Sequence, residues 1–228
     1  MKHLFLILSL LLAAPVHAAD EKDFSPAEKL LFMTDQLGNL RLPSTLQYGF
    51  RKSGTLEEAF TDKVSVALTK GADGKCCAAH GEFLTGARKL ALPDVEGGAN
   101  GNPVLMYFLE REVREMQRLT KGSQTHFRKR LRMAIYGGAT LRDLTLKYRG
   151  KDVKGREVTI TPFLDDPNRP KYEQLATKEY RFWFSDAVPG GVFGIRTRVG
   201  GAAADATPLL VEELLIDGGT APDNERRT

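Results

Sequence analysis

The sequence predicts an α+β fold: a curved antiparallel sheet or open half-barrel of eight or nine strands, with a long central helix and an N-terminal helix. Three observations predict it. Segments that alternate apolar and polar residues fill most of the chain. Short turns join many of them, so those neighbours must pair antiparallel. One strong helical pattern, Asn102–Lys121, stands between the two groups of strands, to be packed around or to plug the sheet.

The central helix carries its own start and stop signals. Asn102 can accept an orphan N–H of the first turn, and Pro103 suits the first helical position. Gly122 is placed to close the last turn in a left-handed conformation. Leu105, Phe108, Leu109, Val113, Met116 and Leu119 form one apolar stripe. Glu110, Arg111, Glu112, Arg114 and Glu115 form a charged face, read as solvated, with a docking surface as the alternative. An earlier helix is predicted over Phe24–Leu40. Ser25 and Glu28 make a capping box, Pro26 opens the helix, and Gly38 can end it.

The strands follow in order. Leu46, Tyr48 and Phe50 alternate with polar residues, as do Val64, Val66 and Leu68 in Lys63–Lys70. The turn Gly71–Gly74 leads to a third strand, Lys75–Leu84, making a hairpin. Ala87–Gly101 has no period and reads as a long loop, a candidate lid. The stretch 126–136 fits a helix or a strand, because Phe127, Leu131 and Ile135 are four apart while Met133 shares their strand face; strand is preferred. Leu141–Gly150 and Val153–Leu164 form a further pair, with Pro162 marking an end or an edge. Asp165–Lys171 is a turn-rich loop. The clearest hairpin is Lys178–Asp186, turning through Pro189-Gly190-Gly191 into Val192–Val199. Leu209–Ile216 closes the sheet, and 220–228 reads as a flexible tail.

The first residues have the layout of a Sec-type signal peptide. Lys2 precedes an apolar run, Leu4–Ala14, that is short for a membrane span, and small residues end at Ala18. Cleavage there predicts an exported, periplasmic protein with a single domain over 19–219 and no membrane span. It also removes one positive charge from a formal net charge of +4. The remaining bias is mild, and its only cluster is Arg128-Lys129-Arg130 with Arg132, so nucleic acid is not an expected partner.

Motifs for chemistry are few. His80 and His126 have no neighbour at metal-ligand spacing, so no metal or other cofactor is expected. Ser185 and Asp186 at a strand end could serve a hydrolase with one of these histidines, but they suit a turn better. Asp165 and Asp166 precede a Pro-Asn turn and read as solvated. Cys76 and Cys77 are adjacent. Because neighbours in a strand point to opposite faces, they read as ordinary strand residues rather than a disulfide.

The aromatics remain. Phe108, Tyr180, Phe182, Phe184 and Phe193 are the candidate ligand-lining residues, should the curved sheet enclose an apolar pocket. Trp183 faces the other way on its strand. The expectation is therefore a non-enzymatic binding or carrier module for a lipid or lipidated protein. An envelope interaction or assembly protein is the second reading, and a hydrolase a remote third. In arrangement the chain resembles the half-barrel lipoprotein carriers of the Gram-negative periplasm; the resemblance covers no specific residue.

Overall fold

The computed structural model describes residues 24–72, 74, 76–96, 101–201, 203 and 206–222. The predicted signal peptide and its cleavage site, part of the candidate lid at 97–100, and most of the C-terminal tail lie outside these residues.

Among the described residues nine strands form one antiparallel sheet: β1 (Ser44–Ser53), β2 (Phe60–Lys70), β3 (Cys76–Phe83), β4 (Thr140–Tyr148), β5 (Lys151–Ile160), β6 (Glu179–Phe184), β7 (Val192–Val199), β8 (Leu210–Ile216) and β9 (Gly219–Thr220). Their order is β3-β2-β1-β8-β7-β6-β5-β4-β9, so the last long strand, β8, joins the N-terminal three to the meander β4–β7. β9 follows β8 after a two-residue turn yet pairs with the far strand β4, through Lys147 with Thr220 and Tyr148 with Gly219. That connection curls the β4 end of the open sheet back toward β8.

Helix α2 (Pro103–Thr120) and helix α3 (Gln124–Gly137) lie on one face of the sheet. Register explains why that face is apolar. Phe50, Leu214, Ile195, Phe182 and Val158 stand opposite one another across five strands, and all are buried. Phe108 of α2 meets Phe83 edge-on at 6.4 Å, and Phe127 of α3 meets Phe163 at 5.7 Å. Edge-to-face geometry sets the positive ring edge against the negative face.

Asn102 ties the start of α2 to three other segments. Its side chain accepts from Val104 N (3.0 Å) and donates to Tyr48 Oη and Gly190 O (both 2.9 Å), while its own N–H donates to Gln36 Oε1. Gly190 has φ +70°, and a Cβ there would sit 2.6 Å from Leu46 Cδ1, so the Pro189-Gly190-Gly191 turn needs glycine for conformation and for space.

Several expectations are corrected. The first helix is far shorter than Phe24–Leu40. The capping box forms, with Glu28 N donating to Ser25 Oγ and Ser25 N to Glu28 Oε2. After one α-turn, α1 (Pro26–Glu28), the chain widens into a π-helical turn, Lys29–Met33, and stops. The Thr34 hydroxyl takes the Lys29 carbonyl and the Gln36 amide takes that of Leu30, so the helix cannot continue on them. The stretch 126–136 is helical, as α3, and not a strand. Phe127, Leu131 and Ile135 are buried while Met133 is half exposed, so spacing by four prevailed over alternation. Lys121, rather than Gly122, is the left-handed residue that closes α2 (φ 59°). Gly122 instead lies under Phe127, whose ring a Cβ would strike. β9 has no counterpart among the predicted strands, and its second residue, Thr220, is the first of the predicted tail.

Cys76 and Cys77 form a disulfide, against the sequence expectation. The alternation argument fails because the β2–β3 register slips here. Thr69 pairs with Ala78 and Lys70 with Cys76, leaving Cys77 as a bulged residue outside the ladder.

Candidate functional site

The sheet face under α2 is not uniformly apolar. One inner row of the ladder reads Lys52, Glu212, Thr197, Tyr180 and Ile160 across β1, β8, β7, β6 and β5. Two members of that row are charged, and α2 places two more over them. Arg111 donates to Glu112 Oε1 (2.9 Å) and to Glu212 Oε1 (2.8 Å). Lys178, just before β6, sets its Nζ between Glu112 Oε2 (2.5 Å) and Glu212 Oε2 (3.1 Å). Lys178, Glu112 and Glu212 are fully buried, and Arg111 and Lys52 are nearly so. The charged face predicted for α2 is thus corrected: Arg111 and Glu112 point into the protein. Glu110 and Glu115 stay nearer the surface, paired with Arg114, Arg128 and Arg118.

Burial pushes the Glu112 carboxyl up to about 7, against the pull of Lys178 and with the help of Glu212. Burial acts on Glu212 in the same sense, but Lys178, Arg111 and Lys52 together hold it well below the usual carboxylate range. Burial alone would lower Lys178, and its two carboxylates reverse that. The raised group gives a testable pH dependence. Folding lifts Glu112 from 4.5 to about 7, so its contribution to stability is complete below pH 4.5 and is lost as pH rises through 7. The other shifted carboxylates are lowered and act below that window. Urea unfolding should show Glu112→Gln gaining on the wild type across this range by on the order of 1–3 kcal/mol. Parallel pH profiles for the two proteins would refute the assignment.

The network reaches the surface at a cleft of about 370 Å³ between α2 and the segment after β3. Lys52, Arg88, Arg111, Arg114 and Arg118 bring five cations to its lining, with Glu115 as the one carboxylate; Phe60, Leu84, Ala87 and Leu90 are its apolar side. Lys52 and Arg118 share Glu57, and Arg118 also holds Glu115 at 2.8 Å. Arg114 is held by Glu110 at 3.1 Å. Arg88 makes no ion pair with a described residue and lies over the Phe60 ring at 4.3 Å. Bridges from Phe83 to Leu90 and from Ala79 to Val95 hold this part of the predicted lid along the β3 edge. The cleft offers apolar contact beside guanidinium donors, and its lining has no serine, cysteine or histidine.

The predicted candidates lie elsewhere. Phe108, Tyr180, Phe182, Phe184 and Phe193 are all buried in the packed core. Phe184 also borders an open cleft, about 600 Å³, shared with Ser185, Asp186, Lys154 and Arg156. Ser185 donates to Lys154 O at 2.6 Å and accepts from Ala187 N, as a turn residue does. His80, on β3, pairs with Asp94 at 2.7 Å. It is five strands from β6 along the sheet, about 24 Å at the usual strand spacing. His126 pairs with Asp166 at 2.7 Å, and Arg130 approaches the same carboxylate at 3.4 Å. Asp166 is therefore buried and engaged, contrary to the solvated reading; Asp165 is exposed. Among the described residues no group of three or more His, Cys, Asp or Glu is placed to hold a metal ion, and no helix is long and apolar enough to cross a membrane.

No family model matches the chain, and no curated protein matches it. Among solved structures, the Mycobacterium tuberculosis lipoprotein LppX aligns with 83% of this chain and 93% of its own, at 10% identity and a TM-score of 0.33. That is a distant likeness.

Proposed function

We propose that the chain is an exported, non-enzymatic binding module whose ligand is an amphiphile with an anionic head, a lipid or the acyl part of a lipidated protein. The observation that carries this reading is the cleft beside α2, where Arg88, Arg111 and Arg114 face the same space as Phe60, Leu84 and Leu90. A carboxylate or phosphate would draw charge-assisted hydrogen bonds from the guanidinium groups, and its chain would cover the apolar side. The packed core supports a peripheral rather than an enclosed position. Export rests on the signal-like start, Met1–Ala18.

Native mass spectrometry of protein from the periplasm tests the reading, together with titration of a fluorescent fatty acid. A co-purifying anionic amphiphile and saturable uptake are expected. Arg88→Glu should weaken uptake by about tenfold or more, since it sets a like charge against the ligand head at an exposed position. A clean apo mass with no uptake would overturn the proposal.

A further inference from the structure

We infer that the outward side of the helix layer is a second, separate surface that docks on an anionic lipid bilayer. Six large apolar side chains there, Phe24, Phe32, Met33, Met106, Met133 and Tyr136, are between 39% and 63% exposed. Short-range contacts place them together. Ser25 Oγ donates to Ile135 O, which brings the start of α1, next to Phe24, to the last turn of α3, which carries Tyr136. Met133 lies one turn before Tyr136 on the same face of α3. Arg128 of α3 grips Glu110 of α2, and the two helices run in opposite directions; one turn further along each brings Met106 beside Arg132 and Met133. The Leu31 and Phe32 carbonyls lie 3.7 and 3.8 Å from where a Cβ on Gly101 would be, next to the start of α2.

Charge names the occupant. α3 carries Arg128, Lys129, Arg130 and Arg132 and no carboxylate. Arg128 is held by Glu110, and Arg130 by Asp166 and Pro162 O. Lys129 and Arg132 are exposed and make no ion pair with a described residue. An exposed apolar patch rimmed by such cations fits the headgroup region of an anionic bilayer, where methionine, phenylalanine and tyrosine enter and lysine and arginine meet phosphate. A second copy of the chain would set the same cations against each other.

Sedimentation with vesicles tests this on the mature chain. Binding is expected to phosphatidylglycerol–phosphatidylcholine vesicles and not to phosphatidylcholine alone. It should fall at least about tenfold between low salt and a few hundred millimolar. Met133→Ser with Tyr136→Ser, and separately Lys129→Glu with Arg132→Glu, should each lower binding by about tenfold or more with the circular dichroism spectrum kept, since all four side chains are exposed. The Met133→Ser/Tyr136→Ser variant should take up the fluorescent fatty acid as the wild type does, since neither residue lines the cleft, so failure of the cleft reading and failure of this one are distinguishable. No binding, equal binding to both vesicle types, or a dimer that the Met133/Tyr136 variant dissolves would each overturn the inference.

Discussion

Lys178→Met should destabilise the protein by about 3–5 kcal/mol in urea unfolding at neutral pH. Lys178 Nζ lies between Glu112 and Glu212 with no solvent access. Methionine fills much the same volume, so the loss is electrostatic. Without the ammonium, two buried carboxylates share Arg111, with Lys52 3.7 Å from Glu212. One carboxylate must then take a proton or admit water. Adding Glu112→Leu removes the surplus charge, leaving Arg111 paired with Glu212 alone. The double variant should recover more than half of the loss, a coupling of at least about 1 kcal/mol. A loss under about 1 kcal/mol for Lys178→Met would show that solvent reaches the network.

This network has a further consequence for the cleft. Arg111 and Lys52 belong both to the buried cluster and to the cleft lining, so their positions are fixed from below by Glu212. A ligand head would meet cations that are already ordered and would not have to immobilise them, which favours binding. Lys178→Met should therefore also weaken ligand uptake, although Lys178 does not line the cleft.

Much of the sheet was legible because period-two alternation is strong where one face is buried. Val192–Val199 and Leu210–Ile216 fall within a residue of the expected limits. The helix α3 was missed because its three buried positions, Phe127, Leu131 and Ile135, also satisfy a strand face, and Met133 tipped the balance. The site was missed for a deeper reason. Glu112 and Glu212 are a hundred residues apart, Lys178 stands between them in sequence, and each looks like an ordinary surface charge beside its neighbours. Only the β1–β8–β7–β6 register and the placement of α2 bring them together. One local signal existed: in Leu210–Ile216, LVEELLI, Glu212 shares the alternation class of Leu210, Leu214 and Ile216, which marks it as inward-facing. Tyr180, Phe182, Phe184 and Phe193 share one hairpin, as alternation predicts, and with Phe108 of α2 they fill the interior.

Trp183 shows how the opposite face is closed, and its removal is the second large expected effect. By alternation it points away from Tyr180 and Phe182, hence away from the helices, yet it is fully buried. Its register neighbour on β7 is Gly194, where a Cβ would lie 3.3 Å from the indole and 2.6 Å from Leu215 Cδ2, so the ring spreads over a bare backbone. The indole N–H donates to Glu157 Oε2 at 2.7 Å, and Arg142 holds the other oxygen at 2.6 Å. Burial would raise the Glu157 carboxyl, but Arg142 and Trp183 bring it below its ordinary range. Arg196, fixed by Glu213, covers the ring at 5.1 Å. Trp183→Ala should cost about 3–5 kcal/mol, from lost burial and the cavity over Gly194. Trp183→Phe keeps most of the packing and loses one hydrogen bond to a charged acceptor, so about 1.5–3 kcal/mol is expected. As the chain's single tryptophan, Trp183 also reports its own environment: a blue-shifted emission should move to the red with unfolding. A red emission in the native state, or an alanine variant as stable as the wild type, would mean that this face is open to water.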